Sequence, residues 1–394
     1  MRRRDDAEPD GPMSAILTLN AGSSSLKFAV YISDHEPQLL AKGQVENLGP
    51  TARLILENDG EKVVRALGVA DHAIALREII ASVTPVLAGR EVDGVGHRIV
   101  HGGVDFHAPE ILTPQVVEKL SALVPLAPLH QPHNLAAVAA AQVAFPDAVQ
   151  VACFDTAFHR DHPWVNDTFA LPRRFYEEGV RRYGFHGLSY DFLTGDVARR
   201  FPELSGARLV IAHLGNGASI CAVKDGRSVG STMGFSALDG LPMGTRCGQI
   251  DPGVLLYLMD QKGLSAPEIS TLLYKESGLK GLSGISSDMR TLEASEGPEA
   301  AQAIDYYVFR IRREIGAMTA VLGGIDALIF SGGIGENSVT VRGRVADGLD
   351  YLGITLDEGR NATSEIEIGA GPVRVFALPT DEERVIARAV QKQV

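Results

Sequence analysis

Two stretches of this chain share one outline. Residues 17 to 33 read "LTLNAGSSSLKFAVYIS" and residues 207 to 226 read "ARLVIAHLGNGASICAVKDG": an apolar strand, a break rich in Asn, Gly and Ser, and a second apolar strand. Each is the pattern of a β-hairpin, with glycine supplying unusual backbone angles at the tip while Asn and Ser bond their own backbone. The same tip, followed in the first case by Lys27, also suits a loop whose N–H groups, hydroxyls and lysine converge on phosphate. Both readings stand on the residues alone. The repeated outline, weak in identity, predicts two similar domains that each present a polar hairpin tip. A chain of 394 residues is long for a single core and suits that division.

Between and after the hairpins, strand patterns alternate with helical ones, which predicts an α/β class. "GVGHRIVHGG" reads as a strand ending in glycines, "NLAAVAAAQVAF" as a buried helix, and "AVQVACFDTAFH" as a strand running into a polar loop. Ile304, Val308, Ile311, Ile315, Met318 and Leu322 recur at three- and four-residue steps, the apolar face of a long helix. It leads into "DALIFSGGIGEN", read as a strand followed by a glycine-rich loop where backbone N–H groups approach phosphate or ribose. That segment is neither a complete G-x-G-x-x-G nor a Walker loop, and no Gly-Lys dipeptide occurs anywhere, which argues against the P-loop class.

Apolar residues make up 45% and charged residues 22%, ordinary for a folded globular chain. A net charge of -12 argues against a nucleic-acid or anionic-membrane binder, since phosphate polymers are held by broad basic surfaces. Cys153, Cys221 and Cys247 are far apart and form neither a disulfide framework nor a metal motif, which suggests a reducing, cytoplasmic setting. The first thirteen residues, "MRRRDDAEPDGPM", lack the apolar core of a signal peptide and read as a disordered leader or an upstream start; no apolar run is long enough for a membrane span.

The remaining motifs follow in one order: "LNAGSSSLKF", "HRIVHGG" (97–103), "PLAPLHQP" (125–132), "CFDTAFH" (153–159), "RRYGFHG" (181–187), "HLGNGAS" (213–219), "MGTRCGQIDPG" (243–253), "SSDMR" (286–290), "SGGIGENS" (331–338) and "PTDEE" (379–383). In this arrangement the sequence closely resembles the acetate kinase family from Ala15 onward. The resemblance implies an α/β protein of two related actin/sugar-kinase-like domains with the active-site cleft between them. The expected boundaries are residues 14–154 plus 381–394 for the first domain and 155–380 for a nucleotide-binding second. It implies a homodimer that converts ATP and acetate into ADP and acetyl phosphate with Mg2+, or Mn2+ in its place, and no nucleic-acid or membrane partner.

By the same resemblance, Asn20 and Glu382 support the metal and Lys27 lies near the phosphates. Arg98 holds the substrate carboxylate, Asp155 is the family's catalytic acid, and His186 and Arg246 stabilise the transferring phosphoryl group. Val100, Leu129, Phe185 and Ala237 surround the acetate methyl. His213, Leu214, Gly215, Asn216 and Gly217, with Asp288, Met289 and Arg290 and with Gly333, Ile334, Gly335, Glu336 and Asn337, contact ATP.

Elementary chemistry supports these roles separately. A carboxylate attacking a polyphosphate needs cations that neutralise and align both partners, work suited to arginine's planar fork. Arg98 and Val100 share strand parity, so a charge and an apolar wall lie on one face, matching the two ends of acetate. Against this, His186 and His130 each follow a large apolar residue, as packed core histidines do, Asp155 could cap a turn, and Asp288 and Arg290 could be a surface pair. Thr380 and Glu383 fit a capping box, which would leave Glu382 free for metal and Asp381 to favour the helix dipole.

Three departures stand beside the site. The family usually continues "FHG" with Thr, Ser, His, where this chain has Leu188, Ser189 and Tyr190; Gln249 replaces an Asp after "TRCG"; and Ala237 in "GFSALDG" replaces a proline. A propionate or butyrate kinase, and an actin-like ATP-binding clamp without catalysis, remain the alternatives.

Overall fold

The computed structural model describes residues 14–22 and 25–394, so the expected leader, residues 1–13, lies outside the described residues. The chain divides into two compact units, one running to Ala157 and resuming at Asp381–Val394, the other Phe158–Thr380. Asp155, expected from sequence to open the second domain, therefore belongs to the first unit. Its backbone N–H donates to the Ile99 carbonyl at 3.0 Å, which continues the strand ladder past the expected boundary.

The first unit is built on an eight-stranded sheet in the order β5-β4-β3-β2-β1-β6-β8-β7. Its strands are β1 (Ala15–Ala21), β2 (Ser25–Ile32), β3 (Gln38–Glu46), β4 (Gly49–Asn58), β5 (Glu61–Ala70), β6 (Val92–Ile99), β7 (Glu110–Ile111) and β8 (Val149–Phe154). Strands β1 to β5 form an antiparallel meander, whereas β1, β6 and β8 run parallel. Central β1 is buried along its whole length, as its apolar run predicts, while edge strand β5 is mostly exposed and carries Glu61, Lys62 and Arg65. The expected hairpin is present, with Asn20 opposite Lys27.

Glycines in β6 decide what lies on this sheet. A Cβ at Gly94 would meet Val390, and one at Gly96 would meet Ile386, at 2.2 Å in each case. The bare backbone there lets the C-terminal helix Glu382–Gln391 lie directly on the strand. Arg98 shares the parity of Gly94 and Gly96, so its side chain emerges on the face that carries this helix.

The second unit has a five-stranded sheet in the order β11-β10-β9-β12-β13, from β9 (Leu209–Leu214), β10 (Ala218–Lys224), β11 (Arg227–Ser231), β12 (Ala327–Ser331) and β13 (Arg374–Ala377). Three antiparallel strands are followed by two parallel ones. The run β3-β2-β1-β6-β8 of the first unit has the same connectivity and directions, so the repeated sequence outline corresponds to a repeated topology. The long helix Pro298–Leu322 buries the predicted stripe from Ile304 to Leu322 and ends at Gly323, whose φ of 69° is the left-handed cap that glycine takes without strain.

Two local expectations are corrected. The segment after β12 is not a loop: Gly332–Asn337 is itself a short helix starting directly at the strand end. Gly332, at φ +75°, makes the turn, and a Cβ there would lie 2.7 Å from the Leu214 carbonyl oxygen. Nor do Thr380 and Glu383 form a capping box. Asp381 caps the C-terminal helix, its carboxylate accepting from the Arg384 N–H at 3.0 Å, so the helix starts one residue later than the box requires.

Candidate functional site

In the first unit, three of the expected residues sit at the C-terminal ends of adjacent parallel strands, the usual place for ligands in open α/β sheets. Asn20 comes from β1, Arg98 from β6, and Asp155 directly follows β8. Arg98 Nε donates to Asp155 Oδ1 at 2.9 Å, Nη2 donates to Oδ2 at 2.5 Å, and Nη1 donates to Asn20 Oδ1 at 3.0 Å. One N–H on each terminal nitrogen is left over, and 19% of the Arg98 side chain is exposed against 2% of Asp155. The guanidinium is thus held from behind by a buried carboxylate while part of its fork stays accessible.

The electrostatics follow from that placement. Burial works against the Arg98 charge, but Asp155 and then Glu382 outweigh it and hold the guanidinium above its ordinary value. At Glu382 burial dominates and pushes the carboxyl up to about 7, opposed by Arg98 and Lys27 and reinforced by Asp155 and Glu383. Glu382 reaches this cluster because it begins the helix that the β6 glycines admit. Lys27 is exposed opposite Asn20 across the hairpin.

Asn134 organises the backbone around these residues, and nothing in its apolar helical segment signalled it. It is 1% exposed, donates to the Ala21 carbonyl at 2.7 Å and accepts from the Val100 N–H at 3.0 Å, tying the ends of β1 and β6 together. Val100 is buried just past the end of β6, Leu129 is half-buried, and His130 precedes the helix Gln131–Ala144 without capping it through its side chain.

In the second unit a separate cluster forms at the β9–β10 hairpin tip. A Cβ on Gly217 would lie 3.2 Å from His186 Nε2 and 3.6 Å from Arg246 Nη1, so both side chains are aimed at one bare stretch of backbone. The His186 ring stacks on His213, centroids 4.4 Å apart. His186 Nδ1 and the Ser219 hydroxyl are 2.8 Å apart, and that hydroxyl lies 2.5 Å from the Tyr190 hydroxyl. Ser189 and His213 Nδ1 are also 2.8 Å apart. Ser189, which the family also has, therefore holds His213, while Tyr190, where the sequence departs from the family's usual His, reaches His186 through Ser219. Arg246 is tethered by Nη1, which donates to the Ala237 carbonyl at 3.2 Å. Phe185 is buried and Ala237 half-buried.

The proposed nucleotide residues behave unevenly. Gly215 and the start of the short helix face each other, a Cβ on Gly215 lying 3.9 Å from the Gly333 nitrogen, and Gly333 itself opens onto empty space. Asn216 and Asn337 are exposed, with Asn337 donating to the Gly333 carbonyl at 2.9 Å. Glu336 instead turns back, accepting from the Gly332 N–H at 2.9 Å, with burial raising its carboxyl. Leu214 and Met289 are buried core side chains and Gly335 is buried too, so their surfaces are not presented to a ligand, and Ile334 is half-buried. Asp288 caps the short helix Met289–Glu293 and pairs with Arg290, Oδ2 to Nη2 at 2.6 Å; the Arg290 side chain is 89% exposed. The surface-pair reading describes this geometry.

Arg342 was not visible as a site residue. It is fully buried, and its Nη1 donates to the carbonyls of Gly335 and Glu336 at 3.0 and 2.7 Å, while Nε and Nη2 are taken up by Asn361 and Ser364. A cation against the last carbonyls of a helix complements its dipole, so Arg342 holds the short glycine helix in place.

Among the described residues no group of three or more His, Cys, Asp or Glu side chains is placed to hold a metal ion, and no helix is long and apolar enough to cross a membrane.

Comparison with known proteins agrees over nearly the whole chain. Residues 15–388 match the Acetokinase family. A protein of Methylocella silvestris named acetate kinase is 54% identical, with 95% of this chain and 96% of that relative covered; one of Nitrobacter hamburgensis with the same name is 49% identical at 95% coverage of both. Among solved structures, the chain resembles a propionate kinase from Francisella tularensis (TM-score 0.91, 35% identity, 96% of this chain and 99% of that one). It also resembles the acetate kinase of Porphyromonas gingivalis (TM-score 0.86, 39% identity, the same coverage). With every ordered motif inside the matched span, this chain belongs to the acetokinase family.

Proposed function

We propose that the chain is an acetate kinase, an enzyme that transfers the γ-phosphoryl group of ATP reversibly to acetate to give ADP and acetyl phosphate. The observation that carries this is the Arg98 fork: a guanidinium fixed by a buried carboxylate, with N–H groups to spare and an apolar residue, Val100, at the same strand parity. An actin-like clamp has no use for such a group.

In the forward direction a carboxylate oxygen of acetate attacks the γ-phosphorus as the bond to the β–γ bridging oxygen breaks, and ADP leaves with that electron pair. The spare N–H groups of Arg98 orient the attacking carboxylate, and Asp155 keeps the guanidinium in place. We assign Asp155 this holding role because its contacts are with Arg98 on both oxygens. His186 and Arg246 stabilise charge on the transferring group's equatorial oxygens. Lys27 attracts the phosphates. The glycine surface of residues 215–217 and 333 receives the nucleotide.

Asn20 and Glu382 offer hard oxygen donors, and a magnesium ion that keeps waters and phosphate oxygens in its shell needs only one or two of these from protein. The residues present fit that ion, which when bound supplies charge neutralisation on the phosphates. Mn2+ suits the same donors.

A homodimer is the assembly we infer. The helix Pro252–Asp260, "PGVLLYLMD", has no buried residue and leaves Leu256 60% and Tyr257 50% exposed, an apolar surface of the kind that a second copy covers. Cys221 and Cys247 are thiols outside any disulfide, in keeping with a reducing cytoplasm.

A propionate kinase is the second reading. It rests on Ala237, where a methyl group replaces the family's usual proline ring, and on likeness to the Francisella tularensis structure. Trapping acyl phosphate as hydroxamate, with ATP and a panel of short-chain acids, tests both. Hydroxamate from acetate supports the proposal, hydroxamate from propionate alone favours the second reading, and ATP turnover without acyl phosphate overturns both.

A further inference from the structure

His186 is the one site residue with a left-handed backbone, at φ 60° and ψ 25°. Outside Gly, Asn and Asp that conformation costs on the order of 1 kcal/mol and persists only where the surroundings enforce it. One buried contact falls on the peptide that enters the residue. His159 Nε2 lies 3.0 Å from the carbonyl oxygen of Phe185, whose peptide plane sets φ at His186.

The protonation of that contact follows from its neighbours. A carbonyl can only accept, so Nε2 of His159 carries hydrogen. Burial holds the imidazole neutral, its pKa lowered to about 4, so Nδ1 is bare. Ser228 Oγ, 2.8 Å from that Nδ1, must donate to it, and having one hydrogen it can only accept from His162 Nε2 at 2.6 Å. His162 is likewise kept neutral by burial, which leaves its Nδ1 bare, and that atom is indeed buried without a hydrogen-bond partner. The Cys221 thiol, 3.2 Å from Ser228 Oγ, adds a second donor to the serine. The chain His162, Ser228, His159, Phe185 thus has one consistent direction.

Packing also locks the His159 ring. It is fully buried, lies edge-on to Tyr190 at 5.6 Å, and sits so close to Gly184 that a Cβ there would be 2.5 Å from its Cγ and Cδ2. Tyr190 in turn touches Ser219, the partner of His186 Nδ1. His186 is therefore gripped on its backbone by His159 and on its ring by Ser219.

We propose that His159 is the positioning residue of His186: its Nε2–H holds the Phe185 carbonyl and so fixes the strained backbone from which the His186 imidazole reaches Gly217. The consequence for turnover rests on the phosphoryl-stabilising role proposed above for His186; the geometry does not.

The test separates the two bonds that His159 makes. Gln can place an amide N–H where Nε2 stood, whereas Asn reaches only as far as Nδ1, toward Ser228. In the full chain, H159Q keeps kcat within about threefold of wild type, while H159N lowers kcat at least tenfold and leaves KM for acetate and ATP within about twofold. In long-range 1H–15N spectra the His186 ring resonances move in H159N and stay in H159Q. Equal kcat losses in the two variants, or unmoved His186 resonances in H159N, overturn the proposal. Should either variant not fold, the wild-type spectrum still decides: His159 must show a protonated Nε2 and a bare Nδ1, and the opposite tautomer refutes the scheme. A wild type that makes no acyl phosphate defeats the functional reading alone, because the ring spectra are recorded without substrate.

Discussion

Arg98 and Asp155 meet fork to fork, both guanidinium edge nitrogens on both carboxylate oxygens, across 57 residues of sequence. One partner is buried and the other nearly so. Breaking a buried pair from one side strands a charge, so Asp155→Ala should lower unfolding free energy by about 3–5 kcal/mol, read by urea titration. A loss under 1 kcal/mol contradicts the holding role.

The two site arginines should fail differently. Arg98→Ala should chiefly raise KM for acetate, because it removes the proposed ground-state contact with the carboxylate. Arg246→Ala should lower kcat at saturating acetate, since the charge it is proposed to meet develops in the transition state. Steady-state kinetics with the reverse pattern reassign them.

At the start of the C-terminal helix, the cap and the proposed metal support fall on neighbouring residues. Asp381→Ala removes the cap and costs about 1 kcal/mol of stability. Glu382→Ala should raise the magnesium concentration needed for half-maximal activity by tenfold or more. A magnesium titration that is superimposable on wild type for Glu382→Ala removes that residue from the metal site.

His159 and His162 make stability depend on pH. Their folded pKa values, about 4 and about 2, lie below the unfolded value of about 6.5, so the unfolded chain binds more protons as pH falls. Their contribution is complete above pH 6.5 and is lost on acidification, at up to about 1.4 kcal/mol per pH unit for each histidine. His162→Gln should flatten the decline between pH 6.5 and 4, measured by urea unfolding at each pH; an unchanged slope means His162 is protonated in the fold.

Substrate range should turn on Ala237. A methyl in place of the proline ring leaves room for roughly one more carbon, worth about 0.8 kcal/mol. Acetate and propionate should therefore have kcat/KM values within about tenfold, and Ala237→Pro should shift preference toward acetate while keeping the carbonyl that accepts from Arg246. A strong acetate preference unaltered by the proline sinks the pocket argument.

Local periodicity by itself determined the elements: the two hairpins, the long amphipathic helix ending at Gly323, and the strands that carry Asn20, Arg98 and His213 were legible because alternation and the 3.6-residue repeat are properties of neighbouring residues. The family resemblance supplied the site residues in their order along the chain. Tertiary structure alone decided their company. That Arg98 faces Asp155 rather than solvent depends on β1, β6 and β8 lying parallel and adjacent, and that Glu382 joins them depends on two bare glycines of β6 against Ile386 and Val390. Asp381 took the cap from Thr380 because helix starts are set by which side chain reaches a free N–H, a choice that packing of the helix on β6 makes. Asn134, His159 and Arg342 were silent for one reason: each acts through a backbone carbonyl, and a carbonyl is the same at every position of a sequence.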